Sequence, residues 1–384
     1  MRIAFVSSPF FDTSSDSRRA EAQVAELARQ LVARGHEVTV YATGTSNVSG
    51  RLRYRFDRPA PMGHLLAMLR HQNFAWTDLR TSEVDIVHCH EPAALALAGE
   101  LIERTVFTVF TSPTGELDEY LADYEDATIV ATSESEWSKF SKTTIATAIL
   151  AGLDPEAHAA GRGGSGNIAL FTRNPAIIER VGAMCAPLGV GLDVLADVPD
   201  SLKNDLNARF PNVRVFATSP APLRSEVLRY ARALVFAEDV NPFDTLIVEA
   251  MLAGTPAVAV RGSVADEFIE PGLTGELAPD HASLPSAIEG AMALDRTACR
   301  EHARNRWSSF RLAGDYERIF LARLKVLSDS GDASDDFSDA SGPLRSGVDD
   351  TRESARVDAT LVELPDATDD DDPTSPVDTK QSPH

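Results

Sequence analysis
Asn241-Pro242-Phe243-Asp244-Thr245 leads into the apolar run Leu246 to Leu252, which is interrupted only by the carboxylate of Glu249. This order predicts a turn entering a helix, with Glu249 in the first turn or two. Backbone N–H groups left unpaired at a helix start can hold a phosphate-type anion. A carboxylate beside them can accept hydrogen bonds from hydroxyl groups, and this reading of Glu249 is preferred to the alternative of a surface carboxylate favoured by the helix dipole. His88 and His90 stand two apart on an expected strand and so share a face. Two imidazoles suit a metal, but no third ligand is evident, so strand-end lining is preferred, with Glu91 as a further polar group. Arg51, Arg53 and Arg55 alternate with Leu52, Tyr54 and Phe56. They protect an exposed edge strand or hold an anionic acceptor or headgroup, the first being favoured. Cys89, Cys185 and Cys299 are odd in number and widely spaced, which suits buried thiols and neither a disulfide framework nor a zinc site. No Ser-His-Asp order, phosphate-loop lysine or paired-cysteine motif offers a rival chemistry.

The hydrophobic pattern supplies the elements that must hold these groups. Ile3 to Val6 is a short continuous apolar run, as in a buried parallel strand. Val24, Leu27, Ala28 and Leu31 then recur at helical spacing, Gly35 ends the helix, and Glu37 to Tyr41 forms the next strand. Alternation continues with strands at 51–56, 84–89, 105–110 and 128–131, and helices at 62–69, 93–103, 116–124 and 134–140. The helix at 62–69 is read as a core helix in preference to a membrane-inserting one. After a Gly-rich stretch the alternation restarts, with strands at 168–172, 192–196, 213–217, 233–236 and 257–260. Helices at 177–186, 202–209, 223–229 and 245–252 lie between them, and helices at 284–294, 296–304 and 312–327 close the fold. Trp307 is expected to anchor the packing of the two halves. Repeated strand–helix alternation predicts doubly wound parallel sheets. The expected class is therefore α/β, with two Rossmann-like parallel-sheet domains facing across a cleft. Their bounds are 1–150 and 167–328, joined by a flexible linker at 151–166, with the last helix free to pack back on the first domain. Ligands bind beyond the carboxyl ends of such strands. The loops of interest are therefore 7–18, 42–50, 89–92 and 110–115, then 172–175, 197–200, 218–222, 237–244 and 261–266.

Composition narrows the partners. The chain has 384 residues and a net charge of −22, from 36 basic and 58 acidic side chains. That balance excludes nucleic acid as a partner, because phosphate backbones need clustered Lys and Arg. Residues 329–384 hold sixteen of the acidic and four of the basic groups, so more than half the excess lies in a short stretch poor in aromatics. Such a stretch buries too little apolar surface to offset its ordering, and it reads as a disordered acidic tail. Only five lysines occur. Abundant Asp with scarce Lys suits a halophilic, cytoplasmic protein, where salt screens carboxylate repulsion. The N-terminal apolar run is too short for a signal peptide, and no run reaches the ~18 apolar residues of a membrane span.

The stretch from Asn241 through Gly254-Thr255-Pro256-Ala257-Val258-Ala259 resembles the donor-site segment of retaining, GT-B-fold glycosyltransferases of family 4. Further matches fall in the family's order. They are Arg34-Gly35-His36-Glu37-Val38-Thr39-Val40, Asp85-Ile86-Val87-His88-Cys89-His90, Ala131-Thr132-Ser133-Glu134, and Asp266 to Gly275. The resemblance covers roughly residues 1–326. It implies transfer of a sugar from a nucleotide-sugar donor to an acceptor, with no cofactor and no metal. Asn241 and Glu249 would be the catalytic pair, with Glu249 holding the ribose and Asn241 the sugar. Arg173, Pro242, Phe243, Asp244 and Thr245 would complete the donor site. Arg18, Arg19, Glu91 and Phe110 would line the acceptor side.

Several positions depart from the family's pattern. Asn241 stands where the family has a glutamate, Asp244 where it has a glycine, and Arg18-Arg19 where it has Gly-Gly. Phe110 takes the place of a histidine, and the phosphate clamp is reduced to Arg173. These changes keep open a degenerate homologue that binds nucleotide, glycan or a partner enzyme without transfer. A nucleotide-sugar epimerase is a further alternative. The partners expected are a nucleotide sugar and an unidentified acceptor, with room for a peripheral membrane contact.

Overall fold
The apolar runs are strands, and every strand pair among the described residues is parallel. In a computed structural model of the chain, residues 1–14, 20–161, 166–196, 198–216, 221–237 and 245–335 are described. The first half runs β1 (Arg2–Val6), α1 (Ala20–Ala33), β2 (Glu37–Ala42), β3 (Arg51–Tyr54), α2 (Leu65–Arg80), β4 (Ile86–Cys89), α3 (Pro92–Ala98), β5 (Thr105–Thr108), α4 (Gly115–Ala122), β6 (Thr128–Ala131), α5 (Glu134–Trp137) and β7 (Ile145–Ala148). The second runs β8 (Ile168–Leu170), α6 (Pro175–Cys185), β9 (Leu192–Leu195), α7 (Asp200–Arg209), β10 (Val213–Phe216), α8 (Ala221–Tyr230), β11 (Leu234–Val235), α9 (Leu246–Leu252), β12 (Ala257–Val260), α10 (Ala265–Phe268) and β13 (Gly275–Ala278). Helices α11 (Leu284–Met292), α12 (Arg296–Arg306) and α13 (Ser309–Asp335) complete the described residues. The strands form two sheets, ordered β3-β2-β1-β4-β5-β6-β7 and β10-β9-β8-β11-β12-β13.

Two strands are additions to the pattern read from sequence. β7 carries alternating small and polar residues, and β13 opens with Gly275, so neither shows a continuous apolar run. Gly275 is needed there because a Cβ would strike the backbone of Ala257 on the neighbouring strand. α2 is also longer than the expected 62–69. Its polar stretch Arg70-His71-Gln72-Asn73 hides a continuing helix, in which His71 and Gln72 are buried with Ala75, Trp76 and Leu79. The first turn, expected in the core, is instead exposed at Leu65, Leu66 and Leu69. β3 is an edge strand, as its alternating arginines suggested.

The chain passes between the two sheets twice, and the passages are tied together. Leu153 N–H donates to the Trp307 carbonyl at 3.0 Å, and Ser309 N–H donates to the Leu153 carbonyl at 2.7 Å. Arg311 adds bonds to the carbonyls of Leu150 and Ala151. Trp307 is buried against Phe268 beside this crossing. The glycines of the described part of the linker serve close approach: a Cβ on Gly152 would lie 2.5 Å from the Ser308 carbonyl oxygen, and one on Gly161 would meet the Arg229 carbonyl. After the crossing, α13 returns to the first sheet. Its Leu312, Ala313, Tyr316 and Phe320 join Ile3, Phe5, Val24, Leu27 and Leu31 in one buried cluster. This helix, expected to end at Leu327, continues to Asp335. Residues 336–384 lie outside the described residues.

Candidate functional site
Each sheet reverses its strand order at one place, and ligands of parallel sheets bind there, beyond the carboxyl ends. In the second sheet the reversal falls between β8 and β11. Thr172 and Arg173 follow β8, where Arg173 is exposed just before α6, whose start is capped by the Asn174 side chain. α9, which comes after β11, has all seven of its residues buried. Glu249 is therefore not a surface carboxylate: it is 4% exposed.

A buried carboxylate needs partners, and two are supplied. Arg224 on α8, itself 7% exposed, donates from Nε to Glu249 Oε2 at 2.7 Å. Thr245, the residue before α9, donates from its hydroxyl to Oε1 at 3.1 Å. The structure thus brings two of the expected donor residues, Thr245 and Glu249, into one hydrogen-bonded cluster. His158, from the crossing segment, feels the charges of both Glu249 and Arg224, and burial lowers its pKa. Sequence reading missed Arg224. On a helix of ordinary polar composition nothing marks it, and only the demand of an otherwise apolar α9 for a cation opposite its single carboxylate would have pointed to it. Asn241, Pro242, Phe243 and Asp244 lie outside the described residues.

In the first sheet the reversal falls between β1 and β4. His90 and Glu91 follow β4, and Phe110 follows β5. The His90 ring stands edge-on to Phe110, with centroids 5.7 Å apart. His90 Nε2 is 3.9 Å from the Glu21 carboxylate, and both residues are buried. Burial works against a charge on His90, but the carboxylate of Glu21, with the charge of Glu91 behind it, overcomes this and raises the pKa. Of the residues expected on the acceptor side, Phe110 packs against His90 and the charge of Glu91 acts on it, so this histidine is more than strand-end lining. Arg18 and Arg19 lie outside the described residues.

His88 does not share the fate of His90. It lies within the strand, with Nε2 2.8 Å from Thr108 Oγ1, and burial lowers its pKa to about 3. Beside it is a small cavity of about 20 Å³ lined by Gln23, His88, Phe110, Thr132, Leu312 and Tyr316, among others. Gln23 Nε2, His88 Nδ1 and Thr132 Oγ1 have no partner there. A cavity of that size with three polar walls suits one structural water. Among the described residues no group of three His, Cys, Asp or Glu side chains is placed to hold a metal. The three cysteines are buried and free, and burial pushes the Cys185 and Cys299 thiols up to about 12.

The two halves also touch directly. Glu267, which begins the third position of α10, accepts from the backbone N–H groups of Glu134 and Ser135 at 2.8 and 2.9 Å and from the Ser135 hydroxyl at 2.6 Å. A carboxylate of one half thereby caps the start of α5 in the other.

Comparison with known proteins gives this arrangement a family setting. Residues 20–136 match the model of Glycosyltransferase Family 4. A comparison with curated protein sequences found no match. Among solved structures, sucrose-phosphate synthase from Thermosynechococcus elongatus superposes with a TM-score of 0.67 at 16% identity, over 85% of this chain and 100% of that one. HepE from Anabaena, solved in complex with UDP and glucose, gives 0.59 at 16% identity, over 83% and 99% of the two chains. A lipopolysaccharide outer core galactosyltransferase, WaaB, gives 0.59 at 13% identity, over 84% and 100%. At these identities the likeness is one of fold, and the fold is GT-B. The chain is glycosyltransferase-like in architecture, and the family-4 resemblance read from its motifs holds. Among the described residues no helix is long and apolar enough to cross a membrane.

Proposed function
We propose that the chain transfers a sugar, with retention, from a nucleotide-sugar donor to an acceptor bound on its first half. The observation that carries this reading is the buried Glu249, held by Arg224 and Thr245 at the reversal point of the second sheet. Two oxygens fixed by a guanidinium and a hydroxyl keep lone pairs directed away from those donors, as recognition of a ribose diol needs. In this proposal residues 167–328 form the donor side and residues 1–150 the acceptor side. Glu249 binds the ribose, Arg173 and the 241–245 backbone the diphosphate, and Asn241 the sugar. Pro242, Phe243 and Asp244 shape the same loop, while Arg18, Arg19, Glu91 and Phe110 line the acceptor side. No metal or cofactor is part of the proposal, since guanidinium and backbone dipoles serve the diphosphate. The high-salt cytoplasm inferred from composition is part of it, and activity is expected to rise with molar salt.

The fold of HepE, solved with UDP and glucose, supports a nucleotide-sugar donor without fixing its base or sugar. The test is thermal shift with a panel of nucleotide sugars, on wild type and on Glu249→Gln, which keeps an acceptor for Arg224. A donor at about 100 times its dissociation constant stabilises by about 2.7 kcal/mol. We expect one donor to give a shift of this order and Glu249→Gln to lose most of it. No shift with any donor would sink the reading. Donor binding without nucleotide release, even with acceptor extract present, would mark a binding homologue, and isomerised sugar would mark an epimerase.

A further inference from the structure
The chain as a whole is strongly acidic, yet residues 51–73 hold five arginines and a single acidic residue, Asp57. The same segment carries a cluster of large exposed apolar side chains. Met62 is 68% exposed, Leu65 66%, Leu66 64%, Tyr54 49% and Leu69 40%. Leu65, Leu66, Leu69 and Arg70 fall on one face of the first turns of α2, opposite the buried Met68, His71, Gln72 and Ala75. Arg55 and Arg70 both approach the ring of Phe56, at 5.9 and 5.6 Å. Among the described residues Arg55, Arg58 and Arg70 form no ion pair, whereas Arg53 is taken up by Asp78 at 2.6 Å.

A cluster of exposed apolar side chains is unfavourable in water and marks an interaction surface, and the unpaired guanidinium groups beside it indicate that the surface it meets is anionic. Their chemistry matches an anionic bilayer surface. Leucine and methionine enter the acyl boundary while arginines meet phosphate, the pattern of an interfacial helix. The patch also has a meaningful position. Ala60 N–H donates to the Pro9 carbonyl at 2.9 Å, and His71 Nε2 lies 3.1 Å from the Ser7 carbonyl, so the segment is fastened to the loop leaving β1 on the acceptor side. We propose that residues 51–73 dock the first half on an anionic lipid bilayer, with Met62, Leu65, Leu66 and Leu69 inserted and Arg55, Arg58 and Arg70 on headgroup phosphates. This extends the transferase reading by placing the acceptor at a membrane surface.

Vesicle flotation of the full chain tests the docking without any need for activity, so its outcome is separate from that of the donor experiment. We expect the chain to float with phosphatidylcholine vesicles containing about a quarter phosphatidylglycerol, and much less with phosphatidylcholine alone. Leu65→Ser with Leu66→Ser should lower partitioning roughly tenfold or more. Arg55→Glu with Arg70→Glu should do the same on anionic vesicles. The altered residues are exposed, so thermal midpoints should stay unchanged, and that measurement confirms the variants are folded. Headgroup pairing is screened by salt, so the lipid comparison and the arginine variants are read at the lowest salt that keeps the chain folded, whereas the leucine effect persists at higher salt. Wild type that stays in solution with anionic vesicles, or variants that float as wild type does, would overturn the proposal. A concentration-dependent dimer dissolved by Leu66→Ser, without vesicle binding, would make this face a self-interface and overturn it equally.

Discussion
Each half of the molecule buries one carboxylate beside one cation at its sheet's reversal point, and the two pairs differ in kind. In the second half Glu249 faces Arg224, 2.7 Å away, and a guanidinium cannot give up its proton. In the first half Glu21 faces His90, 3.9 Å away, and an imidazole can. The second pair is a permanent fixture that holds a carboxylate still. The first sets a carboxylate that favours the imidazolium against burial that disfavours it, with a raised His90 pKa as the net result. Under the proposed function, that contrast would divide the work between a fixed carboxylate on the donor side and a titratable pair on the acceptor side.

The contrast is broken most sharply by removing the carboxylates in turn. Glu249→Ala leaves Arg224 charged and buried, and should cost about 3–5 kcal/mol in urea or thermal unfolding. Arg224→Met with Glu249→Leu removes both charges at similar volume, and should recover most of that loss while donor stabilisation stays absent. If the single and double variants are equally unstable, the pair is not the fixture described. Glu21→Gln should cost less, about 1–2 kcal/mol, because His90 sheds its proton in response. The sign of the pH dependence follows from the raised His90 pKa. The Glu21–His90 contribution is complete below the ordinary value near 6.5 and fades as pH rises through the raised one. Wild type and Glu21→Gln stability curves should therefore converge at alkaline pH; curves that stay parallel from pH 5 to 9 would rule out the raised His90 pKa.

His88 and His71 run the other way. Burial lowers them to about 3 and about 4. Each stabilises the fold as a neutral ring above pH 6.5 and loses that contribution as pH falls toward its lowered value. Acid unfolding should thus begin well above the carboxylate range, and His88→Gln should soften that limb without touching the alkaline one.

The architecture was legible because parallel strands buried on both faces must be continuous apolar runs, as at Ile3 to Val6 and Ile168 to Leu170. The strands that escaped, β7 and β13, are the ones where small or polar residues break that rule. Helix α2 was cut short at Leu69 for a different reason. Buried polar groups such as His71 and Gln72 look like surface until their partners are known, and the exposed Leu65 and Leu66 look like core for the same reason. The motif around Glu249 could be read, and so could its place in the helix. Its burial and its partner could not, because Arg224 is remote in sequence and unremarkable in its own helix. The His90–Glu21 contact was hidden likewise, since α1 and β4 are joined only by the fold.

Two smaller effects probe how firmly the contrasting halves are bound to each other. Glu267→Gln removes the charge and one acceptor from the start of α5, and should cost about 1–2 kcal/mol. If the halves open relative to each other during turnover, the same variant should alter kcat more than donor affinity, since no donor residue is touched.

Tyr316→Phe is the gentlest test. The Tyr316 hydroxyl, carried by the returning helix α13, lies 2.8 Å from Thr108 Oγ1, which in turn meets His88 Nε2 at 2.8 Å. Phenylalanine keeps the ring and its packing on His88 and Phe320. The loss is one neutral hydrogen bond, about 1 kcal/mol. Thr108 keeps His88 as a partner, so no buried group is orphaned and the cost should not exceed that figure. Because the change leaves both reversal-point pairs alone, the alkaline fading ascribed to Glu21 should be identical in the variant. A variant that loses stability by several kcal/mol, or that shifts the alkaline limb, would mean that the returning helix governs the first half's charge state as well as its packing, and the two halves could then no longer be treated as independent sites.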